Sequence, residues 1–121
     1  MQTPAALAVA RAYHRAWTER DFTELDRLVA DPVRVEVPIN RYASRTAFLE
    51  AVRQTAQMTS KVAILAELGG DGEAMLLYDM TLPIGELRVA EHFTVSEGRI
   101  HTIRQIHDTA ALRAAGFDKQ Q

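Results

Sequence analysis

Ala6, Ala10, Tyr13 and Trp17 recur at steps of four, three and four, the spacing that stacks side chains on one face of a helix, while Arg11, Arg15 and Glu19 take the polar face. Thr3-Pro4 is a helix start, because threonine can cap free amides and proline at the first helical position loses no useful hydrogen bond. The pattern predicts a helix to about Glu19. Asp21 followed by Glu24 fits a capping box for a short second helix that buries Phe22, Leu25, Leu28 and Val29 and stops at Asp31-Pro32. Val33, Val35 and Val37 then alternate with Arg34 and Glu36, a half-buried strand ended by Pro38. After a loop from Ile39 to Ala43, Ser44 caps a third helix with Phe48, Leu49, Val52 and Ala56 as its apolar stripe, fading near Met58.

Beyond Met58 the period changes from helical to strand-like. Val62 to Leu68, Ala74 to Leu82, Leu87 to Val95 and Arg99 to His107 are β runs separated by Gly69-Gly70-Asp71-Gly72, Pro83-Ile84-Gly85 and Ser96-Glu97-Gly98. Hairpin links of this kind make an antiparallel meander. Thr109 caps a last helical turn, Ala110 to Ala115, closed by Gly116. The expected fold class is α+β in a single domain over 1–121: N-terminal helices packed on a strongly curved, mostly antiparallel sheet, a cone-shaped barrel with a central pocket in the concave face.

Alternation selects the candidate chemistry. On the fourth β run Val89, Glu91, Phe93 and Val95 share a face, against Arg88, Ala90, His92 and Thr94 on the solvent side. Glu91 is therefore a carboxylate in an apolar row, costly unless paired or protonated and suited to proton transfer or hydrogen-bond donation. Its structural alternative is a buried salt bridge to Arg104 or Arg88, or exposure at a sheet edge. On the third run Leu77, Asp79 and Thr81 share one face and Leu76, Tyr78 and Met80 the other, with apolar residues on both. On the last, His101, Ile103, Gln105 and His107 share a face. His107 is a candidate general base or a histidine satisfied by Asp108, while His14, beside the apolar stripe, and His92 read as solvated. Tyr13 and Trp17 are core aromatics, Tyr13 with a hydroxyl that needs a partner if buried.

Composition narrows the field further. A formal charge of −2 over 121 residues lacks the basic excess that phosphate-backbone binding uses, so nucleic acid is not expected as a partner. With no cysteine there is no disulfide, thiolate metal site or cysteine nucleophile. The histidines have no metal-ligand spacing, and no phosphate loop, GxSxG elbow or cofactor fingerprint occurs, so no metal or cofactor is expected. No signal peptide or membrane span is visible, and the expected location is the cytoplasm.

The run from Val9 to Trp17 leading into Asp21-Phe22, the strand ending at Pro38, and Glu91-His92-Phe93-Thr94-Val95 with Gly98-Arg99-Ile100 resemble the nuclear-transport-factor-2-like superfamily, nearest to SnoaL-like polyketide cyclases and ketosteroid isomerases. The resemblance implies that Tyr13 and a protonated Glu91 form the oxyanion-hole pair of ketosteroid isomerases. The isomerase's catalytic aspartate precedes the proline ending the first strand, and here that position is Val37. Limonene epoxide hydrolases are similar at Asp79, but their arginine is Leu77 here and their second aspartate is Gln105. In SnoaL-like cyclases a pocket acid–base residue drives an aldol step, a role open to Asp79 or His107.

The resemblance also implies that Asp79, Glu91, Gln105 and His107 converge on one pocket lined by Leu77, Val89, Phe93 and Ile103 and roofed by Tyr13 and Trp17. It would take a small hydrophobic molecule bearing a carbonyl, hydroxyl or epoxide oxygen. The expected function is cofactor-independent acid–base catalysis of the isomerase or cyclase type, with Asp79 as base, or His107 if Asp79 is turned away. The alternatives are a non-catalytic ligand-binding or association module and an epoxide hydrolase. Family members dimerise through the outer sheet face, and Tyr78, Met80 and Ala90 beside Arg88 and His92 suggest a homodimer here.

Overall fold

The structure, a computed structural model, describes residues 3–117. Helix α1 spans Ala5–Thr18, α2 Phe22–Leu28, α3 Arg45–Met58 and α4 Ala110–Ala114. The strands are β1 Val29–Glu36, β2 Lys61–Gly69, β3 Glu73–Leu82, β4 Gly85–Ser96 and β5 Arg99–Ile106. They form one open sheet in the order β1-β5-β4-β3-β2. The four later strands make the expected antiparallel meander, and β1 joins the far edge parallel to β5. The fold class stands as expected: helices on one face of a curved, mostly antiparallel sheet, in a cone-shaped α+β arrangement.

The helix starts depend on side chains that accept otherwise orphaned amide protons. Asp21 Oδ1 accepts from the Glu24 amide at 3.2 Å, and Ser44 Oγ from the Ala47 amide at 3.1 Å. At α4 Thr109 occupies the N-cap position as expected, but the accepting side chain is that of Asp108, whose Oδ1 takes the Ala110 amide proton at 2.9 Å. Pro4, rather than Thr3, occupies the N-cap position of α1.

The chain passes from α2 into β1 sooner than the pattern indicates. Val29 is already strand, paired with Ile100, and the next pairing is Arg34 with Thr102. The intervening residues loop out of register, so Pro32 removes no ladder hydrogen bond from this edge strand and does not mark the end of the helix.

At the other edge, α1 approaches the end of β2 closely. A Cβ at Gly69 would lie 3.0 Å from the Cβ atoms of both Leu7 and Ala74, and the Ala6 amide donates to the Gly70 carbonyl at 3.2 Å. At the β4–β5 turn Glu97 and Gly98 have φ of 55° and 75°, the paired left-handed conformation of a tight hairpin.

Between β3 and β4 the link is two residues, Pro83-Ile84, with Leu82 paired to Gly85. That register sets Leu76 opposite Glu91, Tyr78 opposite Val89 and Asp79 opposite Arg88. Leu76, Tyr78 and Met80 therefore share the inner face with Val89, Glu91 and Phe93, and all six are buried. Leu77 and Asp79 lie on the outer face beside Arg88 and Ala90. This corrects two expectations: Leu77 and Asp79 do not face the concave side, and Tyr78 and Met80 do not belong to the outer one. The core is formed where the inner row meets α1, through Ala6, Ala10, Tyr13 and Trp17, with Leu25, Phe48, Ile100 and Ile103 around it.

Candidate active site

Glu91 is 1% exposed, in the middle of the inner row of β4. None of its partners is an arginine. Tyr78 donates its hydroxyl proton to Glu91 Oε1 at 3.0 Å, and Gln105, directly opposite on β5, donates an amide proton to Oε2 at 2.9 Å. His14 Nε2 lies 2.8 Å from Oε1. With Glu91 ionised its oxygen accepts, and Nε2 carries the proton in this contact. Both oxygens of Glu91 thus accept a hydrogen bond from within the sheet, Oε1 from Tyr78 and Oε2 from Gln105.

His14 is 4% exposed, which corrects its reading as solvated. It follows Ala10 by four positions and precedes Trp17 by three, so it belongs to the buried stripe of α1 rather than its margin. That spacing is legible in the sequence. Its ring packs edge-on against Tyr78, with centroids 4.4 Å apart, and against Trp17 at 5.4 Å. His14 Nδ1 is buried without a hydrogen-bond partner among the described residues.

Beside this cluster lies a cavity of about 350 Å³ between the concave face of the sheet, α1, α3 and the segment Val37–Tyr42. Its wall is largely apolar, including Trp17, Phe48, Val52, Met80, Leu87 and Val89, and it carries the polar groups of Tyr13, Tyr78, Glu91, Gln105 and His107. Tyr13 is buried and packs edge-on against Phe93 at 5.6 Å, and its hydroxyl makes no hydrogen bond to another described residue. Burial pushes the Tyr13 phenol well above its ordinary pKa, and the negative charge of Glu91 pushes it further, so it keeps its proton. Tyr78 shifts the same way for the same leading reason, strengthened by Glu91.

His107 stands at the mouth, where Nδ1 is 3.0 Å from the Asp108 carbonyl oxygen. A carbonyl can only accept, so Nδ1 donates and the neutral ring keeps its lone pair on Nε2.

The structure brings Tyr13, Trp17, Val89, Glu91, Gln105 and His107 to this cavity as expected. Phe93 and Ile103 face the same side but are fully buried core beneath α1, off the cavity wall. Asp79 is elsewhere: Arg88 Nε and Nη2 donate to its two oxygens at 2.7 and 2.9 Å on the outer face. That pair holds the Asp79 carboxyl below its usual pKa range. Sequence reasoning missed His14 and Tyr78, and also Asn40 and Tyr42, which line the cavity from the loop before α3. Among the described residues no group of three His, Asp or Glu could hold a metal, and no helix is long and apolar enough to cross a membrane.

A family model for the SnoaL-like domain matches residues 10–103, and the chain belongs to that family. A search of the curated proteins finds no match. Among solved structures, the chain is similar to a protein of Kribbella flavida DSM 17836, at 36% identity over 93% of this chain and 94% of that one, with a TM-score of 0.87. It shares its fold with a steroid delta-isomerase from Pseudomonas aeruginosa, at 18% identity, 96% and 89% coverage and a TM-score of 0.77. A nuclear-transport-factor-2-like protein from Cytophaga hutchinsonii is similar in fold at 12% identity, 93% and 99% coverage and a TM-score of 0.77.

Proposed function

We propose that this chain binds a small hydrophobic molecule bearing a carbonyl oxygen and catalyses cofactor-independent proton transfer on it, as an isomerase or cyclase does. The observation that carries the reading is Tyr13. Its phenol lines an apolar cavity, keeps its proton, and has no hydrogen-bond partner among the described residues, so its donor is available to a ligand oxygen.

His107 supplies the base. Its Nε2 lone pair takes a proton from the carbon beside the carbonyl, and the enolate oxygen accepts the Tyr13 hydrogen bond; the enolate then either takes the proton back from His107 at another carbon, or attacks a second carbonyl carbon of the same molecule, whose C=O π bond breaks and whose oxygen takes the His107 proton. Glu91 does not exchange protons in this scheme. It holds Tyr78 and Gln105 in place, and the Gln105 carbonyl oxygen remains able to accept from a ligand hydroxyl. A steroid delta-isomerase of the same fold gives the scheme a precedent in kind, not in substrate.

The test is a panel of hydrophobic cyclic ketones and enones in deuterium oxide, with exchange of the protons next to the carbonyl followed by NMR. Exchange that falls by about a hundredfold or more in His107→Ala supports the proposal. Binding without exchange would leave a ligand-binding module, and hydration of an epoxide probe would make the chain an epoxide hydrolase. On the outer sheet face the same reading joins two copies through Met75, Leu77 and Ile106, which sedimentation of the purified chain would test.

A further inference from the structure

On the side of α1 away from His107, a second cavity of about 370 Å³ opens between α1, the end of α3 and β2. Its charges are unequal. Arg11, Arg15 and Lys61 line it, against the single carboxylate of Glu67, in a chain whose net charge is negative. Arg11 is committed: its Nε and Nη2 donate to the two Glu67 oxygens at 3.0 and 2.8 Å.

Arg15 stands one helical turn further along the same face, where β2 offers it nothing equivalent. The bulge at Leu65 places Ile64 and Val62 on the row that carries Glu67, opposite Tyr78 and Met80. The Arg15 guanidinium makes no hydrogen bond or ion pair among the described residues. Glu24, an acid within its electrostatic reach, is already bound to Arg27 at 2.6 Å. Lys61, across the opening, is likewise without an acidic partner among the described residues.

We propose that this cavity is a second binding site, for the carboxylate or phosphate group of a small molecule, with Arg15 as the principal contact and Lys61 at its rim. A guanidinium fork suits the paired oxygens of either group. The site is separate from the cavity containing His107 but adjoins it, because Trp17 lines both and His14, on the wall of the second, is bonded to Glu91 on the wall of the first. An anion bound here therefore sits one side chain away from the Glu91 cluster.

Trp17 is the only tryptophan, so its fluorescence reports on this wall. Inorganic phosphate and malonate are titrated separately at constant ionic strength, with sodium chloride as the control. The expected result is a saturable response to at least one of the two, weakened about tenfold or more in Arg15→Gln/Lys61→Gln and retained in His107→Ala. A response to phosphate alone assigns a phosphate-bearing ligand, and one to malonate alone a carboxylate. Both substituted residues are exposed, and an unchanged thermal midpoint shows that the variant folds. A response matched by chloride, equal in the double variant, or absent for both anions overturns the proposal. Loss of response in His107→Ala would put the anion in the first cavity and overturn it as well.

Discussion

Nε2 of His14 lies 2.8 Å from Oε1 of Glu91, joining the first helix to the middle of β4 across 77 positions of chain. The contact makes a buried carboxylate tolerable, because α1 supplies a donor where the sheet alone provides Tyr78 and Gln105. Removing the acceptor strands all three donors. Glu91→Leu is therefore expected to cost about 3 kcal/mol or more in urea unfolding, despite adding apolar volume to an apolar row. His14→Phe removes one of the stranded donors, so the double variant should lose less than the sum of the singles, by about 1 kcal/mol. Additive losses would show that the pair is not coupled.

Asp79→Asn is expected to leave ligand binding and turnover unchanged, to lower stability slightly near neutral pH and to make its decline in acid shallower. The Asp79 pKa is lowered by its hydrogen bonds to Arg88, so the stability this pair contributes is present above the unfolded carboxylate pKa and is lost as pH falls through the folded one. Turnover measured beside acid unfolding of the same variant decides between an outer ion pair and a catalytic base.

That residue also shows where the sequence was legible and where it was not. Element order, the meander and the inward placement of Glu91 follow from periodicity, because β4 has one plainly apolar row and one polar row. On β3 both rows hold apolar residues, so the face depends on register, and register depends on the turn. A three-residue link Pro83-Ile84-Gly85 would set Leu77 opposite Glu91 and turn Asp79 inward, whereas the observed two-residue link sets Leu76 there and pairs Asp79 with Arg88. One residue in a turn reverses a whole strand. The opposite charges of Asp79 and Arg88, placed symmetrically about Pro83-Ile84, were the readable sign of the true register. The loop residues Asn40 and Tyr42 had no comparable signal, since nothing periodic positions a loop.

Alkaline pH should weaken the fold through its tyrosines. Tyr13 and Tyr78 are raised well above the ordinary phenol pKa by burial and by Glu91, and Tyr42 is raised by burial. Below about pH 10 every phenol is protonated in both states and nothing is lost. Above it the unfolded chain releases protons that the folded chain retains, so stability falls by about 1.4 kcal/mol per pH unit for each fully shifted phenol. Tyr13→Phe and Tyr78→Phe should each flatten the alkaline limb of a stability–pH curve. A limb equally steep in both variants would mean the shifts are absent.

Gly69→Ala should be destabilising by about 1 to 3 kcal/mol. The added methyl would meet Cβ atoms on two sides at 3.0 Å, and neither Leu7 Cβ nor Ala74 Cβ can swing away as the end of a long side chain could. Gly70→Ala, where an added Cβ meets nothing within 4 Å, is the control and should change the thermal midpoint little.

Tyr13→Phe and Tyr78→Phe separate the proposed chemistry from the scaffold, because the two hydroxyls are spent differently. The Tyr78 hydroxyl is committed to Glu91 at 3.0 Å, so its removal takes a donor from a buried carboxylate and should cost about 1 to 2 kcal/mol of stability. The Tyr13 hydroxyl has no hydrogen-bond partner among the described residues, and the phenylalanine ring keeps the edge-on packing on Phe93, so stability should be unchanged or slightly higher. Turnover should respond in the opposite order. If Tyr13 donates to the developing oxyanion, its loss should lower exchange by about a hundredfold with little effect on ligand affinity, whereas Tyr78→Phe should have the smaller kinetic effect. Unfolding midpoints and exchange rates measured on both variants give four numbers that must form this crossed pattern. A Tyr13→Phe variant that exchanges at the full rate would remove Tyr13 from the reaction and leave it a wall residue of a binding cavity.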